Sequence, residues 1–413
     1  MCPHSRISVK GEAMDRKINI KDTLYNITVQ HKEALGLLIS LGFDSFKDDN
    51  LLKVFGSSVS LENALKSKKI NVDMFVQQLI EKIEENENKS EQNKHRDTVK
   101  ITGVLPCPVK VPLLETFEKW LGEQSFDFNL HYELKAASIG VDWIKEDLKN
   151  SDSVPDIFIS AGFDLFFDKK LLGKHKSENL FKDITGIHQY NKDFLEYGLK
   201  DPNGQYSVLG IVPAVFLVNK DEMKGRKIPE SWEELISGEF ENNVSLPVSD
   251  FDLFNALMLN IYKKYGEEGI RKLAKIFQKN MHPSEMVKSH MKRERPAITI
   301  MPYFFTWMVR EGSPMELVWP KDGAIISPIF MLSKKDTKNN TKPIVDFFAS
   351  KQTGEILAHK GKMPSVNPEV DNMIPKENKY MWLGWDFIKG NDISALIKKC
   401  EGIFNEFLKG AQI

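Results

Sequence analysis

Beyond residue 98, short runs rich in β-branched and aromatic residues alternate with segments of helical periodicity. The apolar positions Leu113, Phe117 and Trp120, which follow the first run, have the spacing of one helix face. Alternation of this kind predicts right-handed crossovers onto mostly parallel sheets that are covered on both faces. This part of the chain is therefore predicted to be α/β. The predicted strands are 99–105, 128–134, 156–161, 242–248 and 297–302.

A stretch without apolar side chains separates this region from the N-terminal part of the chain. Residues 86–98, NENKSEQNKHRDT, mix both charge signs, which is typical of a solvated linker. Before it, apolar residues recur at helical spacing, and Ser60 has the residue type and position of a helix N-cap. We expect an unstructured leader at 1–13, an all-helical small domain at 14–85, and the α/β part at 99–413.

Composition limits the classes of function. Of 413 residues, 41% are hydrophobic and 28% charged, which is typical of a soluble globular protein, and the net charge of -1 argues against an obligate nucleic-acid partner. No apolar run is long enough to span a bilayer, and the first residues lack the apolar core of a signal peptide. We expect a cytoplasmic protein without membrane insertion, or an extracytoplasmic one if a leader has been removed.

The residues that hold metals and cofactors show no recognisable pattern. Cys2, Cys107 and Cys400 are too scattered for a disulfide framework or a zinc module, and the nine histidines lack paired metal spacing. Phosphate-loop, dinucleotide, kinase and acyl-transfer motifs are also missing from the sequence. No cofactor, no metal and no catalytic residue is predicted.

Three stretches, in order along the chain, carry a resemblance to a known family. Residues 210–240 contain a long apolar strand ending in LVNK and then the capping pattern of Ser231 with Glu234; 317–335 contain a PKDG turn before a second apolar strand; and 346–368 end in a Gly-then-Pro turn. Together they resemble the solute-binding proteins of ABC transporters, of the type II periplasmic-binding-protein fold that includes ferric-ion and polyamine binders. The resemblance implies a first lobe at about 99–215 and 324–413, a second at about 216–323, and hinge strands near 213–218 and 324–331.

The small domain carries a second resemblance. Leu41 to Phe43 and residues 54–79 are similar to a short helical domain of unknown function that elsewhere precedes iron–sulfur repair and redox-associated modules. This resemblance implies a partner-binding role for residues 14–85.

In a two-lobed α/β binder, ligands lie at the carboxyl ends of strands, where helix N-termini present unpaired N–H groups. Small residues there admit a ligand close to the backbone, and aromatic residues form its walls. The alternative for each aromatic residue is a place in a lobe core. The predicted ligand-binding residues are Cys107, Pro108, Lys110, Ser160, Ala161, Gly162, Phe163, Ser249, Asp250, Phe251, Tyr303 and Phe304.

The same residues bear on the class of ligand. The family's ferric binders use adjacent tyrosines, and the similar place here is Tyr303-Phe304, which disfavours direct iron binding. Asp250 and Asp252 have the chemistry to meet an amine, or to act as N-caps. An anion is favoured over an amine, because helix N-termini carry a partial positive charge and Lys110 lies at the first of them.

These observations lead to three hypotheses. The first is a monomeric, non-catalytic binder of a small polar or anionic solute, acting as a receptor or sensor or as the substrate-binding component of an ABC transporter. The second is an enzyme on the same fold that uses Cys107, which lies in a Pro-Cys-Pro sequence. The third is a regulatory adaptor whose helical domain recruits a redox or iron–sulfur partner. The expected partner of residues 14–85 is a transporter permease or a regulatory protein.

Overall fold

The computed structural model describes residues 18–410 except for 42, 69, 92–97, 138–139, 151–153, 177–178, 249 and 338. The chain divides into two compact units, Met1–Arg96 and Asp97–Ile413. The boundary between the units falls within the stretch that was predicted to be a linker.

The described residues of the first unit form helices joined by short turns, with an isolated β-bridge between Thr23 and Ser60. Its helices are α1 (Leu24–Gln30), α2 (Glu33–Ser40), α3 (Asp49–Gly56), α4 (Leu61–Ser67) and α5 (Val72–Glu91). Leu38, Leu61 and Phe75 are among the wholly buried residues of its core. As predicted, Ser60 begins a helix: its Oγ accepts a hydrogen bond of 3.3 Å from the backbone N–H of Asn63.

Helix α5 is longer than the sequence suggested. It continues to Glu91, so the first six residues of the predicted linker, 86–91, are helical. A lack of apolar side chains removes the packing face of a helix but does not break it, because Glu, Lys and Gln are themselves good helix formers.

The second unit contains a single sheet of ten strands in the described part of the chain, ordered β2-β1-β3-β9-β4-β7-β5-β6, with β10 beside β9 and β8 beside β4. The strands are β1 (Thr98–Leu105), β2 (Asn129–Ala136), β3 (Ile157–Ala161), β4 (Tyr206–Asn219), β5 (Val244–Leu246), β6 (Phe277–Asn280), β7 (Ile298–Pro302), β8 (Met315–Val318), β9 (Ala324–Ser333) and β10 (Tyr380–Met381).

Helices cover both faces of this sheet. They are α6 (Cys107–Gly122), α7 (Asp142–Asn150), α8 (Asp164–Phe167), α9 (Trp232–Leu235), α10 (Phe251–Ile276), α11 (Pro283–Met286), α12 (Lys342–Ala349), α13 (Lys351–Glu355), α14 (Trp385–Gly390) and α15 (Ile393–Gly410). Residues of β9 alternate between two hydrophobic cores, with Phe330 and Leu332 in one and Ile329 and Met331 in the other. This alternation follows from the two-residue period of a strand.

The sheet is more mixed than the predicted, mostly parallel one. Pairs β1–β2, β1–β3, β5–β6, β5–β7 and β9–β10 are parallel. Strand β4, however, is antiparallel to β9, β7 and β8, and β9 is antiparallel to β3. The reason is that β4 and β9 are two long strands that run in opposite directions between the halves of the sheet. We call the half containing β2, β1 and β3 the first lobe, and the half containing β7, β5 and β6 the second.

The segment that follows β4 has the helix start that the sequence predicts. Ser231 Oγ accepts a hydrogen bond of 3.1 Å from the Glu234 N–H, and Glu234 Oε2 accepts one of 2.7 Å from the Glu230 N–H. The buried Trp232 indole donates to the Gly323 carbonyl at 2.9 Å. This side chain therefore attaches the helix start to the turn that precedes β9.

The C-terminal helix contacts both lobes. The predicted division placed residues 324–413 in the first lobe, and Ser394 of α15 does donate to Asp168, just after α8 of that lobe, at 3.0 Å. Most of α15, however, packs on α10, which follows β5 of the second lobe. The Phe404 ring meets that of Phe254 at 5.3 Å, and Lys399 pairs with Glu267 at 2.8 Å. An amphipathic helix buries its apolar face against whichever element presents a matching one, and here that element is α10.

Candidate functional site

The strand register brings the carboxyl ends of the two lobes' strands toward each other. Strand β3 ends at Ala161, opposite Ile329, which in turn pairs with Gly210 of β4. Strand β7 ends at Pro302, opposite Ala214 of β4. Four residues of a strand span roughly 13 Å. The loops that follow β3 and β7 therefore face each other across a short piece of β4.

Loops of the two lobes meet at Gly162 and Asp252. Gly162 has a φ of 89°, and a β-carbon placed on it would lie 2.3 Å from Oδ1 of Asp252, in the first turn of α10. Both the left-handed backbone and the close approach require glycine here. The predicted loops at 160–163 and 249–252 are thus brought together, while Ser249 lies outside the described residues, as does the side chain of Phe251.

The two aspartates of the second loop have different surroundings. Asp250 is the N-cap of α10, and its Oδ1 accepts a hydrogen bond of 3.3 Å from the Leu253 N–H. Burial raises the pKa of Asp250 to about 6. Burial also raises the pKa of Asp252 well above its usual value, and the nearby carboxylates of Asp250 and Asp164 raise it further against the opposing charge of Lys145. Asp252 therefore presents a carboxyl group that favours its neutral form.

Tyr303 and Phe304 begin the 3-10 turn Tyr303–Met308 that follows β7. Both are half-buried, and the Tyr303 ring meets Trp319 edge-on at 5.2 Å. Phe304 packs against the hydrophobic core of the first lobe. Burial raises the pKa of Tyr303, so its hydroxyl stays protonated and is able to donate a hydrogen bond at neutral pH.

Phe163 is a core residue in this structure, not a wall of the cleft. Its exposed fraction is 0%, and its ring stacks on that of Trp382 at 6.1 Å and meets Phe330 edge-on. The neighbouring Ser160 is also wholly buried, whereas Ala161 is partly exposed. The side chain of a residue at the start of a short helix can point into the core or into the cleft. The sequence alone does not decide between these two directions.

The third predicted loop forms the start of α6. Cys107 is exposed and is the first residue of this helix, with Pro108 and Lys110 half-buried behind it. Its N-cap, Pro106, has no side-chain hydrogen bond to the helix. The Val109 side chain lies against the backbone of Gly361, since a β-carbon on Gly361 would be 2.5 Å from it.

This contact identifies a segment that the residue-by-residue prediction missed, residues 361–364. The Ile211 N–H donates to the Pro364 carbonyl at 2.9 Å, and Ile211 pairs with Pro328, whose carbonyl accepts from the Gly162 N–H at 3.1 Å. The segment therefore lies beside the same part of β4 as Gly162. The sequence could have pointed to this segment, because its residues, Gly-Lys-Met-Pro, lie within 346–368, the last of the three stretches that resemble the family.

Lys362 extends from this segment to the second lobe. Its Nζ donates to Thr306 Oγ1 at 3.0 Å and lies 4.7 Å from the Tyr303 ring centroid and 5.3 Å from that of Trp307. A residue from the last part of the first lobe thus contacts the 3-10 turn that follows β7. Contacts between the lobes therefore include Gly162–Asp252 and Lys362–Tyr303 as well as the packing of Phe304 on the first-lobe core.

The remaining features of the structure do not add residues to this candidate site. A hollow of about 590 Å³ is lined by residues 186–190, 192, 195 and 367–369, and contains none of the predicted ligand-binding residues. Among the described residues, no group of three His, Cys, Asp or Glu side chains is placed to hold a metal ion. No helix among the described residues has the length and apolar character needed to cross a membrane.

Solved structures share this architecture. The periplasmic binding protein P5PA aligns at 19% identity with a TM-score of 0.54, covering 75% of this chain and 100% of that one. The ferric binding protein from Campylobacter jejuni aligns at 16% identity and 0.54, covering 75% and 99%. AfuA from Actinobacillus pleuropneumoniae, solved with fructose-6-phosphate bound, aligns at 17% identity and 0.54, covering 76% and 99%. No curated protein sequence matches this chain.

Two long strands shared by two α/β lobes, with the lobes' loops meeting over them, define a protein of the two-lobed type II periplasmic-binding-protein class. Residues 152–391, more than half of the chain, match the family model of the bacterial extracellular solute-binding proteins. The chain belongs to this family, whose members bind solutes and are not catalytic. Residues 18–76 match a domain of unknown function, DUF1858. Both predicted resemblances are thus confirmed.

Proposed function

We propose that the second unit binds a small polar or anionic solute between its lobes and releases it chemically unchanged. The observation that carries this proposal is the convergence of the strand ends at Ala161 and Pro302 over β4, together with the contact of Gly162 with Asp252. Backbone N–H groups at the starts of α6 and α10, with the hydroxyl of Tyr303, are suited to a polar ligand at this place.

In this proposal the two lobes open and close about strands β4 and β9, which act as the hinge. Ligand entry requires the contacts Gly162–Asp252 and Lys362–Tyr303 to open, and ligand binding favours the closed arrangement by the difference in its affinity for the two states. The names of the similar structures suggest ferric ion and sugar phosphate as ligand classes to test. The single phenol of the Tyr303-Phe304 pair favours the sugar phosphate, since a ferric ion needs several anionic oxygen ligands.

The biological setting is part of the proposal. Solute-binding proteins commonly deliver their ligand to a transporter, and either that role or a sensor role in the cytoplasm is compatible with a reversible binder. Residues 14–85 would then contact the permease or a regulatory partner. Fractionation of the native full-length protein tests the cytoplasmic location, and recovery outside the cytoplasmic fraction would contradict it.

Native mass spectrometry of the full-length protein purified from its own cells tests binding itself. We expect a bound species that is heavier by the mass of a small solute and that reverts to the apo mass on dilution or mild heating. A chemically altered solute after incubation would contradict a non-catalytic role. A covalent adduct on Cys107 would favour the enzyme that the sequence left open.

A further inference from the structure

Lys362 brings a positive charge into the region between the lobes. The side chain is half-buried, and no carboxylate of the described residues lies within ion-pair distance of its Nζ. Its neighbours are the neutral Thr306 hydroxyl and the two aromatic faces of Tyr303 and Trp307. Burial lowers the pKa of Lys362, and no acidic group offsets this effect.

The backbone of Lys362 is held in an uncommon conformation. Its φ is 45°, in the left-handed region that side chains other than glycine, asparagine and aspartate rarely adopt. Two contacts fix the segment: Gly361 lies against Val109, and the Met363 N–H donates to the Leu357 carbonyl at 3.0 Å. Strained residues of this kind often occur at binding sites, where the surrounding structure holds them in place.

The Lys362 ammonium group has N–H donors left for a further hydrogen-bond partner. An ammonium has three N–H donors, and the hydrogen bond to Thr306 occupies one of them. Aromatic faces attract the charge but accept no hydrogen bond as strong as those accepted by an anionic oxygen. Trp307 has an exposed fraction of 58%, so the cluster is open to solvent on the side of this ring.

We propose that Lys362 binds an anionic oxygen of the ligand, so that the solute carries a phosphoryl or carboxylate group. This inference rests on the proposed function and adds the ligand's charge and the residue that recognises it. Lys362 binds the anion from the first lobe, and the Tyr303 hydroxyl adds a donor from the second. The Thr306 hydroxyl, which donates to the Tyr303 carbonyl at 2.7 Å, positions the ammonium group by accepting its hydrogen bond. An anion at this point would pair with the half-buried charge and link the two lobes in the closed state.

Isothermal titration at constant ionic strength tests the inference with four probes: inorganic phosphate, fructose 6-phosphate, citrate and neutral fructose. The full-length protein is compared with Lys362→Met, with Lys362→Arg and with Lys360→Met, which removes an exposed lysine two residues away. We expect at least one anionic probe to bind wild-type protein at least tenfold more tightly than fructose. Lys362→Met should lose at least tenfold of that affinity, Lys360→Met less than twofold, and Lys362→Arg should retain part of it.

Several results would overturn the inference. These are a wild-type protein that shows no preference for any anionic probe, equal losses for fructose and for the anions in Lys362→Met, or the same loss in Lys360→Met. Melting temperatures of the unliganded variants show whether a loss of affinity reflects misfolding, and Lys362→Arg provides a second folded variant. A neutral solute that co-purifies in the cleft would support the proposed function and contradict this inference, so the two failures are distinguishable.

Discussion

Gly162 at the end of the β3 loop and Asp252 in the first turn of α10 are in direct contact, so close that the glycine has no room for a β-carbon beside the carboxylate. The two residues belong to different lobes. Their contact is therefore a direct report of whether the lobes are together, and it can be changed from either side.

Gly162→Ala is expected to destabilise the protein and to weaken ligand binding. The left-handed backbone alone costs about 1–3 kcal/mol for a residue with a side chain, and the new methyl group meets Asp252. The melting temperature of the unliganded protein should fall, because a φ of 89° is unfavourable for any residue with a side chain. Urea unfolding and ligand titration measure the two effects.

Gly204→Ala is the matched control, since Gly204 has a φ of 62° and open space around it. It should lose stability from backbone strain and keep its affinity. Adding Asp252→Ala to Gly162→Ala should restore part of the stability, because the clash is then removed. Strictly additive effects in this double-mutant cycle would contradict the contact.

Stability of the unliganded protein should depend on pH through Asp252. A carboxyl whose pKa is raised by folding binds more protons in the folded state than in the unfolded state. The free energy of unfolding therefore falls as the pH rises from the unfolded-state pKa, about 3.9, to the raised pKa of the folded state. Asp252→Asn should remove this loss, and its gain in stability over wild type should grow as the pH rises above the usual aspartate pKa. Chemical denaturation at several pH values measures it.

Asp127→Asn, at an exposed carboxyl, serves as the control for the pH series and should follow the wild-type curve. The Asp252→Asn variant keeps the three charged groups that shift the pKa of the Asp252 carboxyl, which are Asp250, Asp164 and Lys145. A constant difference between Asp252→Asn and wild type at all pH values would show that the carboxyl does not titrate in this range.

Tyr303→Phe should weaken ligand binding by about two- to tenfold, the range of one neutral hydrogen bond of about 0.5–1.5 kcal/mol. The ring contact with Trp319 is kept, so the melting temperature should change little. Tyr380→Phe is the matched control: its hydroxyl is buried and has no hydrogen-bond partner among the described residues. An equal loss of affinity in both variants would argue that Tyr303 does not contact the ligand directly.

Phe163→Leu tests the assignment of Phe163 to the core. Because the ring is wholly buried against Trp382 and Phe330, the smaller side chain should lower the free energy of unfolding by about 1–3 kcal/mol. Ligand affinity, measured well below the melting temperature, should stay within twofold of wild type. A large loss of affinity without a loss of stability would return Phe163 to the wall of the cleft.

Local patterns were sufficient for the main elements. The predicted strands correspond to β1, β2, β3, β5 and β7 with shifts of a few residues at their ends, and the Ser231 cap is present. These features depend on neighbours in the sequence, such as an apolar run or a capping side chain three residues before a helical N–H. For the same reason, the sequence was enough to place Gly162 and Asp252 just after strands, at the points where helices begin.

Features that depend on distant contacts were less accessible. The direction of Phe163 is set by Trp382, and the position of α15 by α10, both far away in the sequence. Lys362 was overlooked because its importance comes from Tyr303 and Thr306, which reach it only once β4 and β9 have formed. Strand directions around β4 likewise follow from the long pairing of β4 with β9, which no local pattern encodes.

A crystal structure of the full-length protein with its co-purified ligand tests the central claim most directly. The account predicts density for a small solute between the β3 loop at Ala161–Gly162 and the 3-10 turn at Tyr303, with an oxygen of the solute within hydrogen-bonding distance of the Tyr303 hydroxyl. A ligand that contacts neither Gly162 nor Tyr303, for example one in the hollow lined by residues 186–190, would contradict it.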